Sequence, residues 1–234
     1  MAQNPRSEIV ALAVPIYESV KAKPFRAIQA LTAEMARATH AELWLLEPAQ
    51  ERLTYPFCVA AMLEALYGRE KAEGRVDWLL WLEDDIVPPP GLYATLRAAA
   101  DPVERPYMAA LAHCRAKPFW PGVAMHHWHI KESLMEVAQW QMAPDEGVHA
   151  VDQAGMCAAL IHRSLLGRVR EPQFSVLVSE NTSMGPDAYW SMRLRQIGVQ
   201  PYVCCDVEVG HLAPPPVINR ALSIAFNEGL RNAK

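Results

Sequence analysis

Hydrophobic positions in the first half of the chain form short apolar runs, separated by longer segments with helical spacing. Residues 8–14, 41–47 and 76–83 are runs of strand length, rich in aliphatic and aromatic side chains. Residues 24–39 and 56–70 carry apolar side chains at helical intervals, and each segment begins with a proline, a residue that the first helical turn tolerates. This alternation predicts βαβ units and an α/β fold with a mostly parallel sheet flanked by helices.

The run at residues 76–83, VDWLLWLE, is apolar on both of its alternating faces. Strands at the centre of a parallel sheet have this pattern because helices cover them on both sides. We therefore predict that this run is a central strand. Three consecutive carboxylates, Glu83, Asp84 and Asp85, stand at its end and are followed closely by three prolines.

The second half of the chain has a less regular pattern. Residues 107–113 and 201–212 have the composition of strands, and residues 151–166 predict a strand that leads into a short helix. Residues 185–198 predict a helix with a proline in its first turn and a terminal glycine as its stop. Residues 117–145 are rich in Trp, His and Pro without a clear period, which predicts a long irregular connection of the kind that forms binding loops or lids.

Composition and charge limit the classes of partner. The chain has 234 residues, 51% of them hydrophobic, and neither an internal repeat nor a linker is visible, which favours one α/β domain. A net charge of -4 and a pI near 6.1 argue against a nucleic-acid partner. No apolar run reaches the roughly 18 residues of a membrane-spanning helix. Five cysteines without a CxxC pair are expected to be reduced thiols, so we expect a cytoplasmic protein.

The three carboxylates after the predicted central strand have two interpretations. Glu83 and Asp85 would share one face at the carboxyl end of the strand while Asp84 points away, and open α/β sheets bind ligands at that edge. Two carboxylates at this spacing suit a hard cation such as Mg²⁺ or Mn²⁺. In the alternative, the segment is a solvated acidic turn in which Asp84 or Asp85 caps the following helix.

Two later residues offer matching chemistry. Asp187 falls in the first turn of the predicted helix 185–198, where the helix dipole favours an ionised carboxylate, as a general base requires. Simple charge complementarity at a helix start is the alternative. His211 follows Gly210 at the end of a predicted strand, where its imidazole could complete the shell of a Mn²⁺ ion or only form a hydrogen bond near a turn.

Four segments in order carry a resemblance to a known family: VPIYE after the first strand, WLEDDIVPPPGLY, VDQAGMCAALIHRSLL, and GPDAYWSMRLRQIGVQPYVCCDVEVGHL. Together they resemble the GT-A fold of nucleotide-sugar glycosyltransferases, from about residue 9 to residue 212. The resemblance implies one Rossmann-like GT-A domain over residues 1–234. Its nucleotide-binding half would lie at about 8–115, its acceptor-side half at about 116–215 and a C-terminal tail at 216–234.

The resemblance also implies which residues bind the cation and which residue acts as the general base. The acidic motif, usually written DxD, would hold Mn²⁺ or Mg²⁺ against the donor diphosphate, with Asp85 as the direct ligand. His211 would be a further ligand, and Glu83 would assist. Glu83 and Asp84 would also contact the donor. Asp187 would be the general base if the enzyme inverts configuration at the sugar.

Contacts to the nucleoside and the acceptor follow from the same resemblance. The loop after the first strand would contact the base and ribose through Pro15, Ile16, Tyr17 and Glu18. Gly155 falls where a small residue lets the acceptor loop approach the donor sugar. Apart from the resemblance, Trp120, Trp128 and Trp140 could stack on sugar rings or simply pack in the core or a lid. The tryptophans assigned to the acceptor site are Trp120, Trp128 and Trp190.

Some features depart from the family pattern or remain outside it. Glu83 replaces the usual first aspartate, and GPD supplies one carboxylate, Asp187, where many members carry two acids. The HHWH segment at residues 126–129 could be interpreted as a zinc cluster. Adjacent histidines diverge in a strand, however, and the spacing of nearby ligands is poor for zinc, so we assign this segment to the acceptor side or the surface.

These patterns lead us to expect a metal-dependent glycosyltransferase that moves a sugar from a nucleoside-diphosphate-sugar donor to a hydroxyl acceptor. One alternative is another phosphate enzyme, either a nucleotidyltransferase or a phosphatase. The glycine-rich phosphate loop of the former is missing after the first strand, and Glu83 stands where the latter would need a nucleophilic aspartate. The other alternative is a non-catalytic module that binds nucleotides or sugars.

Overall fold

A computed structural model describes most of the chain. The described residues are 8–15, 22–37, 41–46, 55–114, 123–131, 134–139, 144–170, 173–175, 177–178, 183–212, 217–220 and 224.

Helices and strands alternate through the first half, as the hydrophobic pattern predicts. The helices are α1 Ala22–Arg37, α2 Tyr55–Glu73, α3 Leu92–Ala99, α4 Arg163–Arg168 and α5 Pro186–Gln196. The strands are β1 Glu8–Ala13, β2 Ala41–Leu46, β3 Trp78–Leu82, β4 Ile86–Val87, β5 Tyr107–Leu111, β6 Val123–Lys131, β7 Leu134–Gln139, β8 Val148–Ala150, β9 Gln153–Ala154, β10 Ala158–His162, β11 Leu177–Val178, β12 Ser183–Met184, β13 Tyr202–Glu208, β14 Gly210–Leu212 and β15 Val217–Ile218.

The main sheet has seven strands in the order β2-β1-β3-β10-β5-β13-β8. Strands β1, β2 and β3 are parallel, and β13 is parallel to β5. Strand β10 runs antiparallel to both of its neighbours, and β8 runs antiparallel to β13. Since β10 is antiparallel to both β3 and β5, β3 and β5 run in the same direction. Strand β13, which is parallel to β5, therefore also runs in the direction of β1 to β3. The sheet is therefore mostly parallel and flanked by helices, which confirms the predicted α/β class.

Two apolar layers cover the two faces of the sheet. Helices α1 and α3 pack on one face, against residues such as Leu80, while α2, α4 and α5 pack on the other, against residues such as Trp81. All five residues of β3 are buried, as expected for a central strand. Cys204 and Cys205 lie in opposite layers because adjacent strand residues alternate between faces. Removing the buried Trp81 ring would cost about 3–5 kcal/mol of stability.

A small three-stranded sheet joins the segment after β3 to the last two strands of the described fold. Its order is β15-β14-β4, and both pairings are antiparallel. Strand β4 follows the three carboxylates directly, so β14 from late in the chain lies beside the acidic segment. In this sheet His211 is opposite Ile86 on one side and Ile218 on the other.

Two elements differ from the sequence predictions. Residues 123–139, expected to be irregular, contain the antiparallel pair β6 and β7. The mixed polar and aromatic composition of this stretch hid its strand character. The helix after the prolines, α3, is preceded by Gly91 with φ of 80° and no side-chain cap, so neither Asp84 nor Asp85 caps it. The solvated-turn interpretation predicted that one of these two aspartates caps the helix, and that prediction is wrong.

Helix α5 has the bounds that its end signals predict. It begins at Pro186, and the chain leaves it through Gly198, whose φ of 75° is in the left-handed region that glycine tolerates. As for membrane insertion, none of the helices in the described residues has both the length and the apolar character needed to cross a bilayer.

Candidate active site

The acidic segment leaves the sheet at the carboxyl end of β3 and turns immediately. The backbone N–H of Glu83 donates to the carbonyl of Cys157 at 2.9 Å, which continues the pairing of β3 with β10 by one step. The N–H of Ile86 then donates to the carbonyl of Glu83 at 3.2 Å and closes a turn. The turn places Glu83 and Asp85 at the edge of the sheet where α/β proteins bind ligands.

Strand β14 brings an imidazole to this turn. The N–H of Leu212 donates to the carbonyl of Asp85 at 2.9 Å, so the two segments are hydrogen-bonded at the site itself. The side chain of His211 lies next to that of Asp85, with Nε2 3.5 Å from Oδ2. Both side chains are only partly exposed, at 13% and 20%.

A backbone hydrogen bond orients the His211 ring. Its Nδ1 lies 2.9 Å from the carbonyl oxygen of His113. A carbonyl can only accept, so Nδ1 carries the proton and donates it. In the neutral ring Nε2 then has a lone pair directed toward Asp85. A histidine whose second nitrogen donates to a backbone carbonyl is the usual arrangement of a metal ligand.

Three side chains have the geometry and the chemistry to share one cation. Ligand atoms of Glu83, Asp85 and His211 all lie within 4.8 Å of one another. Donor atoms in adjacent positions around an octahedral ion are about 3 Å apart, so a small contraction would suffice. Two carboxylates and one imidazole suit Mn²⁺, and the carboxylates also suit Mg²⁺. Asp84, the middle acid, is not one of the three.

A cavity of about 100 Å³ adjoins this cluster and contains the predicted base. The residues that line it are Glu83, Ala112, His113, Cys114, Gly155, Met156, Cys157, Asp187 and His211. The cavity is smaller than the roughly 300–1,000 Å³ of a site that encloses a whole small ligand. It can therefore take the reacting end of a larger ligand.

Helix α5 presents Asp187 to this cavity from its first turn. The carboxylate Oδ1 accepts a hydrogen bond from the backbone N–H of Ala188 at 2.8 Å. A Cβ atom on Gly185, the residue preceding the helix, would lie 3.0 Å from the same Oδ1. The glycine thus leaves room for the carboxylate in its present position.

Hydrogen bonds fix α5 against the segment that carries Gly155. The hydroxyl of Ser191 on the helix accepts a hydrogen bond from the N–H of Ala154 at 3.2 Å. It also donates one to the carbonyl of Ala154 at 3.4 Å. On β5, the Tyr107 hydroxyl donates to the carbonyl of Gly155 at 3.2 Å. These contacts hold Gly155 and Asp187 on one wall of the same cavity.

The carboxylates make the cavity electronegative. Burial raises the pKa of the Cys157 thiol well above its usual value, and the charges of Glu83, Asp187 and Asp85 raise it further. Neighbouring protein atoms that displace water likewise raise the pKa of Cys114, and the charge of Asp187 adds to it, although the residue itself is exposed at the surface. Neither thiol is a thiolate nucleophile under ordinary conditions. No Lys or Arg is among the described residues that line the cavity, so the site has the potential to attract a cation.

The structure places the other predicted site residues as follows. Pro15 is buried directly after β1. Trp190 is fully buried, with its ring stacked on Phe174 at 4.7 Å and edge-on to Tyr107, so it is a core residue and we do not retain it in the acceptor site. Trp128 and the HHWH segment lie on β6, whose side chains fall outside the described structure. Ile16, Tyr17, Glu18, Trp120 and Trp140 lie outside the described residues.

One residue of the cavity escaped the sequence analysis. His113 is 2% exposed, lines the cavity and supplies the carbonyl that orients His211. The available signal was a polar residue at the carboxyl end of a predicted strand that is otherwise apolar, in YMAALAH. Such a residue lies at the ligand-binding edge of an α/β sheet.

Comparison with known proteins identifies the fold and leaves the activity open. No protein-family model matches the chain, and no curated protein matches it. Among solved structures it is similar to A197 from STIV, with 15% identity, a TM-score of 0.53 and coverage of 88% of this chain and 86% of that one. It is also similar to GalNAc-T7 solved with UDP, GalNAc and Mn²⁺, with 11% identity and a TM-score of 0.55. That match covers 90% of this chain but only 44% of GalNAc-T7. The GT-A fold expected from the sequence is confirmed.

Proposed function

We propose that this chain is a metal-dependent glycosyltransferase that moves a sugar from a nucleoside-diphosphate donor to a hydroxyl acceptor. The observation that carries the proposal is the shared cavity of Glu83, His211 and Asp187. It puts a candidate cation site and a candidate base close together at the ligand-binding edge of the sheet. The likeness of fold to a structure holding UDP, GalNAc and Mn²⁺ agrees with this choice.

In this proposal Asp85, His211 and Glu83 hold the cation, Mn²⁺ or Mg²⁺. When bound, such a cation neutralises charge on a leaving diphosphate. The side chains provide two negative charges and one lone pair, and the His113 carbonyl keeps that lone pair directed at the site. Asp84 and Glu83 remain candidates for contacts to the donor.

Because the cavity is negatively charged, the donor should bind only when the cation is present. A diphosphate approaching Glu83, Asp85 and Asp187 without a cation would be repelled, because like charges at close range in a partly buried site cost several kcal/mol. No basic side chain among the described lining residues offsets that repulsion. Metal and nucleotide should therefore bind together or in that order.

Asp187 is the proposed general base. Its carboxylate is on the cavity wall beside Gly155, and the Gly155 segment is where the acceptor approaches in this proposal. In an inverting reaction Asp187 would take the proton of the acceptor hydroxyl as the new glycosidic bond forms.

The two halves of the chain would divide the substrates. Residues of about 8–115 would bind the nucleotide, with Pro15, Ile16, Tyr17 and Glu18 at the base and ribose. Residues of about 116–215 would bind the acceptor, with Gly155, Trp120 and Trp128 near it, and residues 216–234 would form a tail. This single-domain division is the one that the resemblance to the GT-A fold implies.

Calorimetry tests the proposal directly. The chain is titrated with UDP-, GDP-, ADP- and dTDP-sugars in the presence of Mn²⁺ and again in EDTA, and each donor is then incubated to detect release of free sugar. Binding that requires the cation, followed by slow donor hydrolysis, is the expected result. Binding without hydrolysis would favour a non-catalytic module, and absence of binding to every donor would refute the glycosyltransferase assignment.

A further inference from the structure

The His113 side chain is a buried polar group that the proposed reaction does not yet use. Its ring nitrogen Nδ1 lies 3.3 Å from Oε1 of Glu208. The histidine side chain is 2% exposed and the glutamate side chain 27% exposed. Removing an imidazole and a carboxylate from water has a cost in stability, and of the two residues His113 lines the cavity.

The backbone is arranged to bring this pair together. The register between β13 and β5 shifts after Cys204, so that Glu208 is opposite Leu111. The N–H of Val209 then donates to the carbonyl of Leu111 at 2.9 Å, which holds the end of β13 beside the end of β5. In the register of Cys204 and Ala110, Glu208 would instead be opposite Cys114 and on the other face of the sheet from His113; opposite Leu111 it shares the face of His113.

Further contacts hold Glu208 in place. The backbone N–H of Arg220 donates to the same Oε1 at 2.5 Å. The Arg220 guanidinium is in turn held by the Asp145 carboxylate and by the carbonyl of Pro144 at 2.6 Å. Burial opposes ionisation of Glu208, but the His113 ring and the Arg220 amide stabilise the carboxylate, and its pKa lies below the usual value. Glu208 is thus an anchored, ionised acceptor.

This anchor determines what His113 can offer a ligand. The contact joins Nδ1 to a carboxylate oxygen at 3.3 Å without the geometry of a hydrogen bond. A carboxylate repels a lone pair and attracts an N–H group, so we place the proton of the neutral ring on Nδ1. In the neutral ring Nε2 is left as a hydrogen-bond acceptor for a ligand in the cavity. The cavity has room only for the reacting end of a donor, and the diphosphate end belongs to the cation cluster.

We propose that His113, positioned by Glu208, binds a hydroxyl group of the transferred sugar through Nε2. This inference rests on the proposed function, since it assigns a sugar contact within the same site. It makes His113 a specificity-determining residue and Glu208 a positioning residue. His211 keeps its own orientation in either case, because it depends on the backbone carbonyl of His113 and not on the ring.

The test compares a nucleoside diphosphate with its sugar conjugate in variants of the pair. His113→Phe removes both ring nitrogens, His113→Gln keeps a hydrogen-bonding group, and Glu208→Gln removes the charge that fixes the tautomer. His149→Gln is the matched control, since His149 is a histidine that contacts the Glu146 carbonyl and does not line the cavity. Calorimetry measures Mn²⁺ alone, then UDP, GDP, ADP and dTDP with Mn²⁺, and then the hexose conjugate of whichever nucleotide binds.

For His113→Phe we expect affinity for the sugar conjugate to fall about tenfold, the equivalent of one hydrogen bond to a ligand. Affinity for Mn²⁺ and for the free nucleoside diphosphate should stay within about twofold, since those ligands do not use the ring. His113→Gln and Glu208→Gln should show intermediate losses with the same selectivity, and His149→Gln none. If His113→Phe does not fold by circular dichroism, these two milder variants decide the question.

Three outcomes would overturn the inference. Equal affinity of wild type and the His113 variants for the sugar conjugate would leave His113 a structural residue, with the proposed function intact. Equal losses for the nucleoside diphosphate and its conjugate would mean that the ring acts through the cation cluster. A wild-type chain that binds no nucleotide sugar would remove both this inference and the proposed function.

Discussion

His211 on β14 and Asp85 in the turn between β3 and β4 approach each other at 3.5 Å, although they lie in different halves of the chain. The contact is built into the backbone, because the residue after His211 donates its N–H to the carbonyl of Asp85. The backbone segments that carry the two side chains are tied together by the small sheet of β4, β14 and β15. This arrangement would preorganise the pair for the cation that we propose.

Replacing Asp85 by Asn should abolish cation binding. The substitution keeps the shape of the side chain but removes a negative charge that no other described residue supplies in the same position. We expect the affinity for Mn²⁺, measured by calorimetry, to fall by at least about 100-fold, and sugar transfer to disappear with it. Glu64→Gln on the exposed side of α2 makes the same kind of charge change away from the site and should bind Mn²⁺ normally. Unchanged affinity in Asp85→Asn would remove Asp85 from the ligand set.

The choice of metal should follow from the nitrogen ligand. Imidazole suits Mn²⁺ better than Mg²⁺, which prefers an all-oxygen shell. Activity of the wild type should therefore be higher with Mn²⁺ than with Mg²⁺ at equal concentration. His211→Asp replaces the nitrogen ligand by oxygen. It should lower activity and also lower the ratio of the activity with Mn²⁺ to the activity with Mg²⁺. A variant with the same ratio of activities as wild type would show that His211 does not bind the ion.

Asp187→Asn should separate binding from turnover. The amide is the same size, so the cavity keeps its shape, but it cannot take a proton. We expect the affinity for the metal and donor to be unchanged and the rate of transfer to fall about 10²- to 10⁴-fold, the usual contribution of a general base. Calorimetry and steady-state kinetics on the same preparation measure the two quantities. Turnover at the wild-type rate would exclude Asp187 as the base.

Gly185→Ala should disturb the same carboxylate indirectly. Gly185 has φ of -70°, so alanine is compatible with the backbone, but its Cβ would lie 3.0 Å from Oδ1 of Asp187 and push it aside. We expect slower transfer with unchanged Mn²⁺ affinity and little change in stability. Gly68→Ala on α2, where a Cβ meets nothing within 4 Å, is the control and should stabilise the fold by about 0.5–1 kcal/mol. Wild-type kinetics in Gly185→Ala would indicate that the position of the carboxylate does not limit the reaction.

The free energy of unfolding at low pH should depend on Glu8. Its hydrogen bond from Arg97 lowers the pKa of the carboxyl against the opposing effect of burial. Because the pKa is lower in the folded state than in the unfolded state, the pair stabilises the protein above the unfolded pKa. That stabilisation is lost as the pH falls through the folded pKa. Urea unfolding at several pH values should show Glu8→Gln less stable than wild type at pH 7, and the difference should disappear as the pH falls through the lowered pKa of Glu8. A difference that persists at the lowest pH would contradict this assignment.

Local patterns predicted much of the fold. The apolar faces of β3 identified the central strand, and Pro186 and Gly198 set the limits of α5, because these signals depend on the chain's immediate neighbours. The pair β6 and β7 was missed because its His and Trp residues obscure a two-residue period. The buried position of Trp190 could not be predicted because the sequence of α5 does not reveal which of its sides faces the core.

The candidate site was only partly visible in the sequence. Glu83, Asp85, Asp187 and His211 could be selected by residue type and by position at element ends. That they converge depends on strand order and on the pairing of β14 with β4, which no local pattern encodes. His113 and Glu208 become neighbours only through the register shift between β13 and β5, so the sequence gives no signal that links them.

The pairing of β14 with β4 also has a consequence for biosynthesis. A chain emerging from the ribosome exposes Glu83 and Asp85 long before it exposes His211, and folding proceeds from the N-terminal side as synthesis advances at about 5–20 residues per second. The nascent chain can form β1 to β3 early but has no imidazole to place beside Asp85. Under the proposed metal site, acquisition of the ion would be a late event of maturation, and stalled or prematurely terminated chains would fail to acquire it.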